Sequence, residues 1–258
     1  MFSMTKSSSI QYISRKENVS MADQWFHIAT MEHFWVRRRF DVFKKLLSGI
    51  DVSHMRVGEV GCGHGLVQAQ FKGEYGVSVE GFELNEYALN NSVALDQPRI
   101  IYNIHERCND LEAVFDALLL FDVIEHIDND VQFMESALFH VKPGGLIVTN
   151  TPAIQSLFSA YDRVAGHKRR YSLADLARLG EQTSMRVEIA TYWGITLSPL
   201  LLVRKACLLR YKNDDNIIKK GFKPPSGFAN KLLYTLSQFE KIPQQLTGSS
   251  AMMLYRKV

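Results

Sequence analysis

The chain has 258 residues, of which 46% are hydrophobic and 22% are charged, and this fits one globular domain with additions. The net charge of +3 includes no long run of Lys and Arg, which argues against nucleic acid as a partner. Cys62, Cys108 and Cys207 lie far apart without a C-x-x-C motif. The sequence therefore predicts neither a disulfide framework nor a zinc site, and we expect a cytoplasmic location.

The N-terminal stretch is polar and rich in serine, and it lacks the continuous apolar core of a secretory signal. We predict a flexible tail over residues 1–20. No apolar run approaches the ~20 residues that cross a bilayer, so no transmembrane segment is expected. Apolar residues then recur at helical spacing from Ala22 to Ser48, and Gly49 suits a helix end. Residues 21–50 are predicted to form a helical cap.

The stretch Arg56 to Gly65, RVGEVGCGHG, joins a short strand pattern to a glycine-rich turn. Glycines at 61, 63 and 65 allow the backbone to approach a ligand closely. A helix beginning at Leu66 would aim its free N–H groups at the same place. Nicotinamide and flavin enzymes favour G-x-G-x-x-G. The third glycine is one residue early here, which disfavours a nicotinamide dehydrogenase.

Glu83 follows a second predicted strand over residues 76–82 and lies 18 positions after Gly65. Dinucleotide-type folds place a carboxylate about 20 residues after the glycine turn, where it accepts ribose hydroxyls. An ionised carboxylate suits a vicinal diol because it is an acceptor with two oxygens. The alternative interpretation is a helix N-terminal acid before Asn85. The spacing favours the ribose interpretation.

A third strand is predicted at Ile100 to Ile104, and the apolar run at residues 117–121 predicts a fourth strand that is covered on both faces. The motif FDVIEHIDND begins at Phe121. Ligands bind at the carboxyl ends of strands in open α/β sheets, so Asp122 and His126 are predicted to face the cleft. A lone histidine is more often structural, but its position at this edge favours a functional role.

The sequence Lys142-Pro143-Gly144-Gly145 ends the next predicted helix, and Leu146 to Asn150 predicts a fifth strand. The connection after it, LFSAYDRVAGHKRRY at residues 157–171, is rich in charged and hydrogen-bonding side chains. Ser172 then opens a helix with a capping box. Arg186 to Trp193 predicts a sixth strand, and Ala251 to Tyr255 predicts the last one.

The segment between the sixth and last strands is long and holds the apolar stretch Ile195 to Arg210. That stretch is too short and basic to cross a membrane. It fits a buried helix, a dimer face or a helix on a lipid surface. We predict a polar loop over residues 213–227 and a further helix over 228–242. Residues 197–242 are thus expected to be an accessory helical insertion. It would shape the acceptor site, by which we mean the part of the cleft that binds the substrate.

These motifs stand in an order that resembles the class I S-adenosylmethionine-dependent methyltransferases. The E-x-G-x-G-x-G pattern from Glu59 resembles their motif I. EHFWVRRR at residues 32–39 and the 157–171 segment resemble a bacterial subset that includes the ubiquinone-biosynthesis, glycan and natural-product pathway enzymes. The resemblance implies an α/β fold: a Rossmann-like, seven-stranded, mostly parallel sheet with an antiparallel last strand and helices on both faces. Residues 51–196 and 243–258 would form this core.

The resemblance implies S-adenosyl-L-methionine as cofactor and S-adenosyl-L-homocysteine as product. Arg37 would pair with the cofactor carboxylate, unless the arginine run is a solvated face. Asp110 would accept from the exocyclic amine of the adenine, and Leu111 would cover the ring; an exposed loop Asp is the alternative. The residues expected to bind the cofactor are Arg37, Glu59, Gly61, Cys62, Gly63, Glu83, Leu84, Asp110, Leu111, Phe121 and Asp122.

For the acceptor, the resemblance and the chemistry of the side chains point to the same loop. His126, His167 and Tyr161 are the predicted catalytic residues. The predicted substrate-binding residues are Trp35, Asp162, Arg169, Arg170 and Tyr171. Adjacent arginines suit bidentate recognition of an anion, so we expect an acceptor with an anionic part. The alternative is that Asp162 pairs with one of these arginines and fixes the loop.

We therefore expect a methyltransferase that acts on a small-molecule acceptor, at a hydroxyl or carboxylate oxygen. The alternatives are a carbon- or nitrogen-directed enzyme and a non-catalytic partner subunit. No metal-ligand set is identified from spacing, so no metal is expected. A peripheral membrane contact and a homodimer both remain open.

Overall fold

The computed structural model describes residues 9–17, 28–208, 210–211, 213–222 and 226–258. Its centre is an eight-stranded sheet with the order β1-β4-β3-β2-β5-β6-β8-β7. The strands are β1 (Gln11–Tyr12), β2 (Val57–Val60), β3 (Val79–Glu83), β4 (Arg99–Ile101), β5 (Phe115–Phe121), β6 (Val141–Pro152), β7 (Met185–Trp193) and β8 (Ser250–Lys257). The predicted tail at 1–8 and 18–20 and the start of the predicted cap at 21–27 lie outside the described residues.

The longer α-helices surround this sheet. They are α1 (Phe34–Leu46), α2 (Leu66–Tyr75), α3 (Glu86–Asn90), α4 (Asp130–His140), α5 (Ala160–Val164), α6 (Leu173–Gln182), α7 (Ser198–Leu208), α8 (Asp214–Phe222) and α9 (Gly227–Ser237). The predicted capping box at the start of α6 is present, with Ser172 and Asp175 as its two members.

All pairs between β1 and β6 along the sheet are parallel, whereas β8 pairs antiparallel with both β6 and β7. β2 and six of the seven residues of β5 are buried or nearly so, as expected for strands covered on both faces. One apolar cluster contains Phe82, Phe115 and Leu118. The cluster on the other face contains Phe43 and Leu119.

The sheet has one strand more than predicted, because Gln11 and Tyr12 pair with Ile100 and Ile101 at its edge. This strand lies inside the predicted flexible tail. Its neighbouring residues explain the difference: Lys16 donates to the Glu86 carboxylate at 2.6 Å, and the Tyr12 hydroxyl also donates to Glu86. The composition of this polar N-terminal stretch does not indicate that such contacts form.

The accessory segment joins the sheet through a buried carboxylate. Glu240 accepts hydrogen bonds from Arg38 at 3.1 Å, from the Gly194 N–H at 2.8 Å and from the Ile195 N–H at 2.9 Å. The side chains of Arg38 and Glu240 are 2% and 1% exposed. A pair so buried would be costly to break, so it fixes α1 relative to the segment. Among the described helices, none has the length and apolar character to span a bilayer.

Candidate active site

A cavity of about 900 Å³ lies at the carboxyl ends of β2, β3 and β5. Open α/β sheets bind ligands at this edge. One end of the cavity is lined by the glycine turn and by Glu83, and we call it the sheet end. The other is lined by the connection after β6 and by α7 and α8, including Tyr161, Arg204 and Phe222, and we call it the helix end.

The glycine turn forms one wall of the sheet end with backbone alone. Gly61, Gly63 and Gly65 have φ angles of +69°, +55° and +81°, in the region that residues with a Cβ rarely adopt. A Cβ on Gly61 would lie 2.6 Å from the Val123 side chain. The turn therefore needs glycine at this position for space as well as for conformation.

Glu83 at the end of β3 connects the two strand tips. Its Oε2 accepts from the Gly63 N–H at 2.9 Å, and its Oε1 accepts from the N–H groups of Leu84 at 2.8 Å and Asn85 at 3.0 Å. Burial raises the pKa of Glu83, and these N–H groups act in the opposite direction. A carboxylate offers about four acceptor sites. A ribose diol would thus have to displace at least one of the three N–H donors.

Glu59 lies beside this turn with its carboxyl group buried. Burial raises the pKa of Glu59 to about 8, although Arg39 acts to lower it. Its Oε2 has no hydrogen-bond partner among the described residues. An ammonium group at this point would take the free oxygen and favour the ionised carboxylate. Glu59 is therefore suited to the amino end of a zwitterionic ligand.

Asp122 follows β5 and is held on both of its oxygens. Oδ2 accepts from Arg39 at 2.5 Å, and Oδ1 accepts from the Asn150 side-chain amide at 2.7 Å. Burial raises the pKa of Asp122, whereas Arg39 lowers it. Asp122 adopts a φ of +57°, which bends the chain directly after the strand. The Arg39 pair joins α1 to the floor of the cavity.

His126, His167 and Glu125 meet between the two ends. His167 Nδ1 lies 3.0 Å from Asp162 Oδ1, and its Nε2 lies 4.0 Å from Glu125 Oε1. The two imidazole rings are 4.8 Å apart, centre to centre, and nearly perpendicular. Burial lowers the pKa of His126 to about 3, so this ring is neutral at neutral pH.

Asp162 orients His167 and fixes the loop that carries it. Its carboxylate accepts from Ser159 N–H at 2.8 Å and from Arg170, whose Nη2 lies 2.7 Å away. Burial by itself would raise the pKa of Asp162, but the His167 hydrogen bond and the Arg170 charge hold it below its ordinary range. Asp162 is therefore ionised at neutral pH and holds His167 Nδ1 as a donor.

Glu125 was not predicted, although it stands directly before His126 in the sequence. It is fully buried, and neither of its carboxyl oxygens has a hydrogen-bond partner in the described part of the chain. Burial raises the pKa of Glu125 well above its ordinary value, and the Asp122 charge adds to this. Ligand atoms of Glu125, His126 and His167 lie within 4.8 Å of one another, a spacing compatible with a metal ion. That no metal is used stays a prediction.

A family model described as a methyltransferase domain matches residues 30–188, which is more than half of the chain. The chain belongs to this methyltransferase family. A ubiquinone biosynthesis O-methyltransferase of Rickettsia typhi is 28% identical over 123 residues, which are 45% of this chain and 48% of the relative. A Mycolicibacterium smegmatis protein named "Probable S-adenosylmethionine-dependent methyltransferase" is 27% identical over 179 residues, 66% of each chain. The chain matches less than half of the length of the ubiquinone-type relatives.

Solved methyltransferase structures share the fold. An S-adenosylmethionine-dependent methyltransferase from Mesorhizobium loti has a TM-score of 0.56 at 12% identity, over 85% of this chain and 98% of its own. Phosphoethanolamine N-methyltransferase 2 of Haemonchus contortus, solved with S-adenosyl-L-methionine, has a TM-score of 0.58 at 15% identity, over 93% of this chain and 58% of its own. The predicted class I family, fold class and S-adenosylmethionine cofactor are confirmed, with eight strands in place of seven.

Most of the residues predicted for this methyltransferase site line the cavity. They are Trp35, Glu59, Gly61, Cys62, Gly63, Glu83, Leu84, Phe121, Asp122, His126, Tyr161, His167 and Arg170. Their individual roles stay predictions. Asp162 lies directly behind the lining, where it holds His167 and Arg170.

Arg37 is not the arginine that faces the cavity. Its guanidinium lies 3.9 Å from the centre of the Tyr234 ring of α9, whereas Arg39 lines the cavity. Residues two positions apart on an α-helix point about 200° apart. The sequence did not fix the rotation of α1, so it could not show which member of the arginine run faces the cavity.

Asp110 and Leu111 do not reach the cavity either. Asp110 is exposed and Leu111 is buried in the core, in a short turn at Asn109–Leu111. β4 ends at Ile101, earlier than predicted, so the chain crosses the sheet edge at Asn103 to His105, and these residues line the cavity. The adenine contacts assigned to Asp110 and Leu111 are therefore not supported by their positions.

Arg169 and Tyr171 do not line the cavity. They fix the connection after β6 through contacts on its other side. Arg169 donates to Asp130 at 3.2 Å and to the Asp128 carbonyl at 2.8 Å. The Tyr171 hydroxyl donates to Asp130 at 2.8 Å. Arg170 touches the cavity, but it is paired with Asp162. The structure therefore contains the ion pair between Asp162 and an arginine, which was the alternative to anion binding.

Proposed function

We propose that this protein transfers the methyl group of S-adenosylmethionine to an oxygen of a small-molecule acceptor. The observation that carries the proposal is a single cavity that extends from Glu83 at the sheet end to His167 beside the helix end. Its volume of about 900 Å³ is near the upper limit for small-molecule sites. The cavity is large enough for donor and acceptor together.

Methyl transfer from a sulfonium is an in-line displacement. The acceptor oxygen forms a bond to the methyl carbon while the carbon–sulfur bond breaks, and that electron pair stays on sulfur as a neutral thioether. The protein mainly has to hold the two reacting atoms about 3–3.5 Å apart and in line, which supplies about 7–11 kcal/mol of the barrier. The glycine turn and Glu83 would hold the donor, and the helix end would hold the acceptor.

A hydroxyl acceptor also has to lose its proton, and His167 is placed to take it. Because Asp162 accepts at Nδ1, the lone pair of His167 lies on Nε2. The distance of 4.0 Å to Glu125 is too long for a hydrogen bond. A base in this position contributes about 10²–10⁴-fold. His126 is the weaker candidate, since a pKa of about 3 makes it a poor proton acceptor.

The test is the release of S-adenosylhomocysteine with a panel of phenols, alcohols, carboxylates and amines. We expect turnover with an oxygen acceptor. For a hydroxyl acceptor, His167→Gln should lower kcat by about 10²–10⁴-fold, because the amide can still donate to Asp162 but cannot take the proton. A carboxylate acceptor has no proton to lose, so its rate should be unchanged in the same variant.

His54→Gln is the matched control, because His54 is exposed and lies outside the cavity lining. Turnover confined to amines would contradict the oxygen-directed proposal. Cofactor binding without turnover on any acceptor class would favour the non-catalytic subunit. Loss of turnover in EDTA, restored by a divalent cation, would contradict the metal-free mechanism and assign Glu125, His126 and His167 to a metal.

We also propose a peripheral contact with an anionic membrane surface, through the accessory segment at residues 197–242. The segment contains nine Lys and Arg and three Asp and Glu, a net charge of +6 in a chain whose total is +3. Phe228 and Phe239 are both 78% exposed. Apolar side chains beside basic ones favour the interface of an anionic bilayer. A homodimer and a cytoplasmic location stay predictions.

A further inference from the structure

Three arginines among the described residues line the cavity, and they differ in their partners. Arg39 is paired with Asp122 at 2.5 Å, and Arg170 is paired with Asp162 at 2.7 Å. Both positive charges are therefore neutralised within the protein. Arg204 of α7 has no carboxylate within 4 Å in the part of the chain that the structure describes.

The contacts that the structure gives for Arg204 include no carboxylate in direct contact. Nη1 donates to the Gly221 carbonyl at 3.0 Å, and the guanidinium lies over the Tyr161 ring, 4.5 Å from its centre. Its Nε is buried and has no hydrogen-bond partner among the described residues. A buried N–H without a hydrogen-bond partner is costly. Lys220, which is exposed, also lines the helix end.

The helix end of the cavity also contains several apolar side chains. Leu200, Leu201, Leu208 and Phe222 line the same end of the cavity. Charge-assisted hydrogen bonds are strong where water is excluded. A neutral apolar acceptor would leave the Arg204 charge unpaired inside the complex. An acceptor with an oxyanion would neutralise it while its apolar part contacts the leucines.

We infer that Arg204 binds an oxyanion, a carboxylate or a phosphate group, on an acceptor whose remaining part is apolar. The inference rests on the proposed function, because it takes the helix end as the acceptor site. Arg204 takes the anion-binding role that the sequence suggested for Arg169 and Arg170. Those two arginines are paired with protein carboxylates. Arginine suits this role because its planar guanidinium binds both oxygens of such a group.

The test is calorimetric binding of n-octanoate, n-octyl phosphate and n-octanol to protein loaded with S-adenosylhomocysteine. In the wild type, at least one anionic probe should bind about tenfold or more tightly than n-octanol. Arg204→Gln should remove this preference and leave n-octanol binding unchanged. The better of the two anionic probes identifies the carboxylate or the phosphate as the recognised group.

Arg178→Gln is the control, because Arg178 is a surface arginine with a 64% exposed side chain, and it should keep the preference. If Arg204→Gln does not fold, Arg204→Lys serves in its place and should bind the preferred anion several-fold less tightly than the wild type. Equal affinity of the wild type for charged and neutral probes would overturn the inference. A wild type that binds no S-adenosylhomocysteine would instead overturn the proposed function.

Discussion

His33 joins two parts of the molecule through one neutral imidazole ring. Its Nδ1 accepts from the Trp35 N–H at 3.2 Å and so caps α1, and its Nε2 lies 3.1 Å from the Phe222 carbonyl at the end of α8. The ring also stacks on Phe222 at 4.2 Å. Both bonds form together only if the proton is on Nε2. A second proton on Nδ1 would break the cap of α1.

Protonation of His33 should therefore destabilise the fold in acid. Burial lowers the pKa of His33 to about 4, against about 6.5 in an unfolded chain. Between these values the unfolded chain binds a proton that the folded protein does not bind. The free energy of unfolding should thus fall as pH falls from about 6.5 to about 4, by up to ~1.4 kcal/mol per pH unit from this residue.

His33→Asn tests this, because asparagine also caps a helix but does not titrate. Urea unfolding between pH 7 and pH 4.5 should show a flatter pH dependence in the variant. Part of the slope should remain, since His126 is shifted in the same direction. His54→Asn is the control at an exposed histidine. A slope in His33→Asn equal to that of the wild type would contradict the assignment.

Individual residues show how far the sequence determined the site. Glu83 lines the cavity, and its distance along the chain from the glycine turn made this position predictable; its role at the ribose stays a prediction. Arg37 was chosen over Arg39 because the rotation of α1 depends on packing against Phe121 and Tyr234, which are distant in sequence. Glu125 was missed because a buried carboxyl group without a partner cannot be recognised from composition.

Helix α9 presents two different faces. Tyr234 and Ser237 turn inward, and the Tyr234 hydroxyl donates to Asp41 of α1 at 2.7 Å. Phe228, Leu232 and Leu236 lie one helical turn apart and are 78%, 46% and 41% exposed, and Phe239 continues this line in the following turn. We call these four residues the α9 stripe. Such spacing places them on one side of the helix.

The α9 stripe should bind anionic vesicles. Wild-type protein should sediment with phosphatidylglycerol-containing vesicles, less so with pure phosphatidylcholine, and release should follow the addition of salt. Replacement of both Phe228 and Phe239 by Ser should abolish sedimentation. Leu95→Ser removes an apolar residue that is 48% exposed elsewhere and should have no effect. A dimer that the double variant dissociates, with no vesicle binding by the wild type, would assign the stripe to a second copy.

The strands and helices of the core were predicted well, because their apolar periodicity and turn residues are local signals. The predicted and observed elements differ in segments whose structure depends on contacts between residues that are distant in sequence. The polar stretch at residues 213–227 was predicted as a loop, yet α8 begins at Asp214, and Ile217 and Ile218 pack with Tyr161 and Leu208. β6 begins earlier than predicted, at Val141, but its register with β5 is interrupted before Leu146, and Gly144 has a φ of +74° as the predicted turn requires. At α8, propensity is overridden by tertiary packing.

In the molecule as a whole, the tips of β2 and β3 face one cavity. The hydrogen bond from Gly63 to Glu83 places them side by side. The accessory segment covers the other end, and Glu240 and His33 fix it to α1 and the sheet. This arrangement would let a cofactor and an acceptor approach each other from opposite ends. The sequence predicted that the two strand tips lie together. It did not predict the contacts of Glu240 and His33 that fix the accessory segment.

The most direct test is a comparison of S-adenosylhomocysteine with its 2′-deoxy analogue by calorimetry, on the wild type, Glu83→Gln and the control Glu80→Gln, whose side chain lies outside the cavity lining. Hydrogen bonds to a charged group contribute about 1.5–3 kcal/mol, or roughly 10–100-fold in affinity. We predict that Glu83→Gln weakens S-adenosylhomocysteine binding by this factor. We also predict that it removes the wild type's preference for the ligand with the 2′-hydroxyl. Wild-type affinity in Glu83→Gln, or an equal loss for both ligands, would contradict the ribose assignment.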